Sequence, residues 1–115
     1  MPKNILVADD DKAILNIYTR LFSDTDHSVS LASSFTEAAE LIRSGDFDLL
    51  ITDLMLEDGL GTELIKLFEK KRDGARSLLV TGSLAEVDQS QLPDAYLEKP
   101  FKLEVLMAAV NEALA

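Results

Sequence analysis

Five short apolar runs alternate with stretches of helical periodicity along the whole chain, and this alternation constrains the fold more than any single residue does. The runs cover residues 5–8, 29–32, 49–52, 78–81 and 95–97. The first, third and fourth are almost continuously apolar, as parallel strands buried on both faces are. Val29-Ser30-Leu31-Ala32 is more polar and Ala95-Tyr96-Leu97-Glu98 mixes its faces, so both read as sheet edges. Between the runs, Ile14, Ile17, Tyr18, Leu21 and Phe22 mark one buried helical stripe. Phe35, Ala38, Ala39 and Ile42 mark a second, opened by a capping box of Ser34 and Glu37. Leu60, Leu64, Leu67 and Phe68 form a third, closed by Gly74, and Leu103, Leu106, Met107, Val110 and Leu114 form the last. A shorter helix is predicted to begin at Ser83, with Glu86 three residues on, and to stop before Pro93. Strand and helix in strict turn predict an α/β fold, a doubly wound five-stranded parallel sheet with helices on both faces.

The chain has 115 residues, 47% of them apolar, which suits one domain over 1–115 with one core. A net charge of −10 argues against binding a phosphate backbone, which needs clustered Lys and Arg. The one basic run, Lys70-Lys71-Arg72, falls at the end of a predicted helix, where cations complement the carbonyl end of the dipole. With no cysteine, neither a disulfide framework nor a thiolate metal site is possible. Met1-Pro2-Lys3-Asn4 leads into only four apolar residues, too few for a signal-peptide core or a membrane span. These features predict a soluble cytoplasmic protein that binds neither nucleic acid nor membrane.

Open parallel sheets take ligands in the crevice beyond the carboxyl ends of their strands. The polar residues at those ends are Asp9, Asp10 and Asp11 after the first run and Asp53 after the third. Thr81 closes the fourth run, and Lys99-Pro100 follows the fifth. Singly, each has an ordinary explanation. An Asp at a strand end is usually solvated or caps a helix, and Thr81-Gly82-Ser83 reads as a turn. Tyr96 reads as a half-buried edge aromatic, and His27, the only histidine, lies in a polar stretch that suggests no role. Jointly they are harder to dismiss. Like charges about 4 Å apart repel by roughly 4 kcal/mol at a protein surface, so carboxylates crowded in one crevice raise a pKa or invite a cation. Hard oxygen ligands without His or Cys favour Mg²⁺. A lysine offers a compact positive charge to a phosphoryl group, and a threonine hydroxyl can bond another of its oxygens. The set reads as machinery for phosphoryl transfer to or from a carboxylate.

These residues closely resemble the receiver domain of two-component response regulators. The matching segments are ILVADDD, LLITDLMLEDGLGTELI, LLVTGS and AYLEKPF, in the family's order and across essentially the whole chain. The resemblance implies a flavodoxin-like sheet of order 2-1-3-4-5 with Asp53 as the phosphoacceptor. It implies Asp9 and Asp10 as the acidic pair that holds Mg²⁺, Asp10 directly and Asp9 largely through water. Asp53 and the backbone carbonyl of Met55 complete the metal's protein ligands in that scheme. Thr81 stands at the switch hydroxyl, Tyr96 at the switch aromatic and Lys99 at the family's lysine, aimed by a cis Lys99-Pro100 peptide. Gly82 stands where a small residue admits the phosphoryl group, and Met55 and Ser83 where side chains tune its lifetime. The implied partner is a sensor histidine kinase or a histidine phosphotransfer protein, with an output module attached or separate. The only catalysis implied is self-catalysed phosphotransfer and autodephosphorylation.

Some positions depart from the family. Glu57 stands where Pro is common, which predicts a looser loop after Asp53. Lys99 follows Thr81 about one helical turn sooner than in the family, and Pro93-Asp94-Ala95 replaces the usual Gly-Ala before the last strand. Both predict a short or irregular fourth helix. A Mg²⁺-dependent phosphohydrolase of the haloacid-dehalogenase type would use Asp9 as nucleophile. Lys12-Ala13 does not fit that motif, however, and no acidic pair follows Lys99. A receiver-like interaction module that is never phosphorylated is the other alternative, and the completeness of the acid–Thr–Lys set argues against it.

Overall fold

The computed structural model describes residues 2–82, 85, 90, 92, 93 and 95–115. In chain order the elements are β1 (Asn4–Ala8), α1 (Lys12–Phe22), β2 (Ser28–Ala32), α2 (Phe35–Ser44), β3 (Leu49–Thr52) and β4 (Met55–Leu56). There follow β5 (Gly59–Leu60), α3 (Gly61–Lys71), β6 (Arg76–Thr81), β7 (Tyr96–Glu98) and α4 (Leu103–Leu114). Five strands form one sheet in the order β2-β1-β3-β6-β7, and every neighbouring pair is parallel. Counted within that sheet alone, the order is 2-1-3-4-5, with the two more polar strands at its edges. The predicted helix over 83–93 lies largely outside the described residues.

Alternation along the strands divides the core into two layers. Ile5, Val7, Leu49, Ile51, Leu78 and Val80 pack under α1 and α4, while Leu6, Ala8, Leu50 and Leu79 pack under α2 and α3. Side chains of this size contribute about 1.5–3 kcal/mol each when fully buried, so both layers hold the central strands in register. Helix α1 departs from the predicted stripe. Leu15, Tyr18 and Phe22 are buried, whereas Ile17 is 39% exposed. With apolar residues at both Ile14 and Leu15 and again at Ile17 and Tyr18, the sequence offers two helical stripes, and packing against β1 and β2 selects one.

Helix α2 is fastened at both ends. Ser34 caps its N-terminus, its hydroxyl accepting from the Glu37 amide at 3.1 Å, and Glu37 reaches back to the Ser33 amide at 2.7 Å. At the other end the Lys71 ammonium donates to the carbonyls of Ile42, Arg43 and Gly45 at 2.5, 2.8 and 2.8 Å. The basic run therefore serves the carbonyl end of α2 as well as that of α3. Arg72 continues the seam, donating to the Phe47 carbonyl and pairing with Asp48 at 2.9 Å. His27 also has a local duty, its Nδ1 accepting from the Lys3 amide at 3.0 Å. Among the described residues no helix is long and apolar enough to cross a membrane.

Candidate functional site

The chain leaves β1 for the edge strand β2 and then returns across β1 to β3, so a crevice opens beyond the level ends Ala8 and Thr52. The next residues are Asp9 and Asp53. Ladder-like bonds fix both main chains, from the Asp9 amide to the Ala32 carbonyl and from the Asp53 amide to the Ala8 carbonyl, each 3.0 Å. On the next strand beyond β3, Thr81 ends β6 opposite Glu98 of β7. The Lys99 amide donates to the Thr81 carbonyl at 2.9 Å, and the Lys99-Pro100 peptide is cis. The Lys99 ammonium thereby reaches the crevice, 3.2 Å from Asp9 Oδ2 and 3.3 Å from Asp53 Oδ2.

The three consecutive aspartates have three different fates. Asp9 is buried, with its Oδ1 accepting from the Asp11 amide at 2.9 Å and its Oδ2 facing Lys99. Asp10 is exposed. Asp11 caps α1 by accepting from the Ala13 amide at 2.9 Å. One carboxylate oxygen from each of Asp9, Asp10 and Asp53 lies within 4.8 Å of the others. Burial pushes the Asp9 carboxyl above its ordinary value and the charge of Asp53 adds to this, against the opposing pull of the Asp11 amide and Lys99. Burial disfavours the Lys99 ammonium, but Asp9 and Asp53 together outweigh it and raise its pKa. The cluster carries more negative charge than one lysine offsets. Its all-oxygen donor set suits a hard divalent cation that keeps several waters.

Thr81 is buried and Tyr96 is exposed on the edge strand. Around Gly82 there is room, since a Cβ there would meet Lys99 Cβ only at 4.0 Å. Ser83 lies outside the described residues. Met55 is exposed, in a two-stranded hairpin that has no counterpart among the five apolar runs. There β4 and β5 pair Met55 with Leu60 and Leu56 with Gly59. The Gly61 amide donates to the Leu54 carbonyl at 2.7 Å. Because hydrogen-bonded and open pairs alternate in an antiparallel ladder, Met55–Leu60 is the open pair and the Met55 carbonyl is left out of the ladder.

Three further residues belong to the site's surroundings. Gly61 passes so close to the Asp53 carbonyl that no Cβ fits between them. Its signal in the sequence is the G-x-G of Gly59-Leu60-Gly61, which reads equally well as an ordinary turn. Asp58, at the hairpin apex, accepts from the Phe35 and Thr36 amides at 2.7 and 3.1 Å and from the Thr36 hydroxyl at 2.6 Å. Tyr18 is buried beneath the crevice, and its hydroxyl is pushed far above its ordinary pKa, first by burial and then by Asp9 and Asp53.

Fold and crevice together define a doubly wound α/β protein with an acid–lysine site at its topological switch point. Residues 5–111 match the family model of the response regulator receiver domain. The chain belongs to that family. It is 34% identical over 120 residues to the response regulator MprA of Mycolicibacterium vanbaalenii, covering 99% of this chain and 51% of that protein. It is 31% identical over 114 residues to the DNA-binding transcriptional regulator NtrC of Azospirillum brasilense, covering 96% and 24%. The chain thus spans about a quarter to a half of the length of these relatives. A CheY-like receiver domain protein from Methanospirillum hungatei superposes with a TM-score of 0.88 at 30% identity, covering 99% of this chain and 94% of that one. Response regulator TrrA from Thermotoga maritima, solved in complex with Mg²⁺-BeF, superposes with a TM-score of 0.85 at 26% identity, covering 97% and 99%.

Proposed function

We propose that this chain is a phosphoacceptor receiver unit of a two-component system, in which Asp53 accepts a phosphoryl group from a phosphohistidine. The observation that carries this reading is the Lys99 ammonium shared between Asp9 and Asp53, beside the open carboxylate of Asp10. A sensor histidine kinase or a histidine phosphotransfer protein is the donor. A carboxylate oxygen of Asp53 forms the new bond to phosphorus as the bond from phosphorus to the imidazole nitrogen breaks. Asp10, Asp53 and the Met55 carbonyl would hold a Mg²⁺ ion directly. Asp9, with both oxygens already engaged by the Asp11 amide and Lys99, would act through water. When bound, the ion supplies neutralising charge for the transferring group. The Mg²⁺-BeF complex of TrrA supports this assignment by similarity.

Once Asp53 carries the group, Lys99 pairs with one of its oxygens and the Thr81 hydroxyl donates to another. Shifting a two-state equilibrium from about 1:99 to 99:1 takes roughly 5.5 kcal/mol of differential binding. Hydrogen bonds to charged groups contribute about 1.5–3 kcal/mol each, so two or three new contacts are enough. Inward movement of Thr81 vacates space for Tyr96, which carries the change to the edge strand. Hydrolysis of the acyl phosphate resets the state, and Met55, Gly82 and Ser83 are assigned the tuning of its rate. The greater length of MprA and NtrC supports an attached output module in the full protein. On this reading the chain catalyses only its own phosphorylation and dephosphorylation.

The test is incubation with acetyl phosphate and Mg²⁺, followed by intact-mass measurement. Wild type gains one phosphoryl group and Asp53→Asn gains none. Label retained by Asp53→Asn sinks the assignment. Turnover of a simple phosphomonoester that depends on Asp9 but not on Asp53 would support the phosphohydrolase instead. No spectral response to beryllofluoride with Mg²⁺ would support the unphosphorylated module.

A further inference from the structure

We propose that Asp58 is a positioning residue for the metal and phosphoryl site, acting through the loop that carries Met55; the proposal rests on the receiver reading above. The loop leaves β3 at Asp53 and is closed at its neck, where the Gly61 amide meets the Leu54 carbonyl at 2.7 Å. Leu54 and Leu56 are buried under α2 and α3, which anchors one side of the hairpin. The apex is Glu57-Asp58, both exposed. It is not free, because Asp58 reaches back to α2. Its Oδ1 accepts from the Phe35 amide at 2.7 Å, and its Oδ2 accepts from the Thr36 amide at 3.1 Å and hydroxyl at 2.6 Å. Gly59 lies flat on the Phe35 ring, so close that a Cβ would strike the ring carbons at 2.6 Å.

The division of labour at the α2 N-terminus separates this contact from simple capping. Ser34 already supplies the helix with its own cap, taking the Glu37 amide. Asp58 takes the two amides before it, from a segment more than twenty residues away in sequence. What the contact fixes is therefore the hairpin. Met55–Leu60 lies one rung from the clamped apex, and the neck that ends the hairpin abuts the Asp53 carbonyl. Through these two links Asp58 holds the Met55 carbonyl and the Asp53 main chain in place, and it substitutes for the rigidity a proline at Glu57 would supply.

The experiment titrates MgCl₂ into the protein by isothermal calorimetry and measures the thermal midpoint without metal, for wild type, Asp58→Ala, Asp58→Asn and Ser34→Ala. Loss of groups that orient metal ligands weakens binding by 10-fold or more, so Asp58→Ala is expected to weaken Mg²⁺ by about tenfold. Asp58→Asn, which keeps one acceptor oxygen, recovers part of the loss. Ser34→Ala removes only the bond to the Glu37 amide and leaves the Asp58 carboxylate on the Phe35 and Thr36 amides, so it lowers the midpoint and leaves Mg²⁺ affinity unchanged. Wild-type affinity in Asp58→Ala, or an equal weakening in Ser34→Ala, overturns the proposal by reducing Asp58 to a second cap. Absence of saturable Mg²⁺ binding in wild type, or binding indifferent to Asp10→Asn, overturns the receiver reading itself and this proposal with it.

Discussion

Lys99 and Asp9, ninety positions apart in sequence, meet at 3.2 Å across the carboxyl ends of the sheet. Lys99 is the cation that faces the buried carboxylate of Asp9 and partly offsets the cost of burying its charge. Lys99→Met should therefore destabilise the metal-free protein by about 1–3 kcal/mol, the usual cost of leaving a buried polar group without its partner. Mg²⁺ should restore more stability to the variant than to wild type. Urea midpoints with and without Mg²⁺ measure both effects, and equal gains from Mg²⁺ would count against the shared role.

Stability should depend on pH in a way that Asp9→Asn removes. The folded protein holds the Asp9 proton to a higher pH than the ordinary 3.8 of the unfolded chain. Metal-free stability from this group is therefore greatest below 3.8 and declines as pH rises through the raised value. Asp48, held down chiefly by the Asn4 amide, and Asp58, held down chiefly by the Thr36 hydroxyl, act oppositely. Their contribution is present above 3.8 and is lost as pH falls through their lowered values. In denaturant titrations from pH 4 to pH 7, Asp9→Asn should gain steadily on wild type while binding Mg²⁺ more weakly.

Gly61→Ala should be more damaging than a surface turn substitution. The new Cβ overlaps the Asp53 carbonyl, and forced overpacking costs about 1–3 kcal/mol. Relief must come from moving the Asp53 main chain. A displacement of about 1 Å at a reacting group can cost on the order of a hundredfold in rate, so acetyl phosphate should label Asp53 about a hundred times more slowly. A folded variant labelled at the wild-type rate would show that Asp53 does not need this neck.

Tyrosine emission should report the site. The chain has two tyrosines and no tryptophan, and only Tyr18 is buried in the field of Asp9 and Asp53. Adding Mg²⁺ changes that field. The emission change should survive Tyr96→Phe and vanish in Tyr18→Phe.

Lys71→Met should cost about 1–2 kcal/mol, in line with cations at partly buried helix C-termini. The side chain donates to three carbonyls at the end of α2. Chemical denaturation measures the loss, and Lys70→Met is the control with a near-zero effect.

Strand ends were legible because apolar runs stop abruptly at Asp9, Asp53, Thr81 and Lys99, and the topology then brings them to one edge. The capping box of Ser34 and Glu37 was legible because its partners are neighbours in sequence. Contacts that depend on approach in space were not. Gly61 excludes a side chain only because Asp53 has folded back against it, and Asp58 reads as a turn residue until α2 arrives beside it. The hairpin leaves no mark in the sequence because each strand has two residues, too short for any periodicity. Ile17 fits a core stripe in sequence because either of two stripes on α1 satisfies helical spacing.

The bracing of α2 makes the two sides of the sheet mechanically unequal. Asp58 ties it to the loop after Asp53, and Lys71 ties it to α3. On the opposite side, α1 and α4 flank an apolar groove of about 460 Å³ lined by Ile14, Ile17, Pro100, Phe101 and Leu103. A disturbance at the carboxylates is expected to meet more resistance under α2 and α3 than under α1 and α4. The signature is slower amide exchange along α2 than along α1.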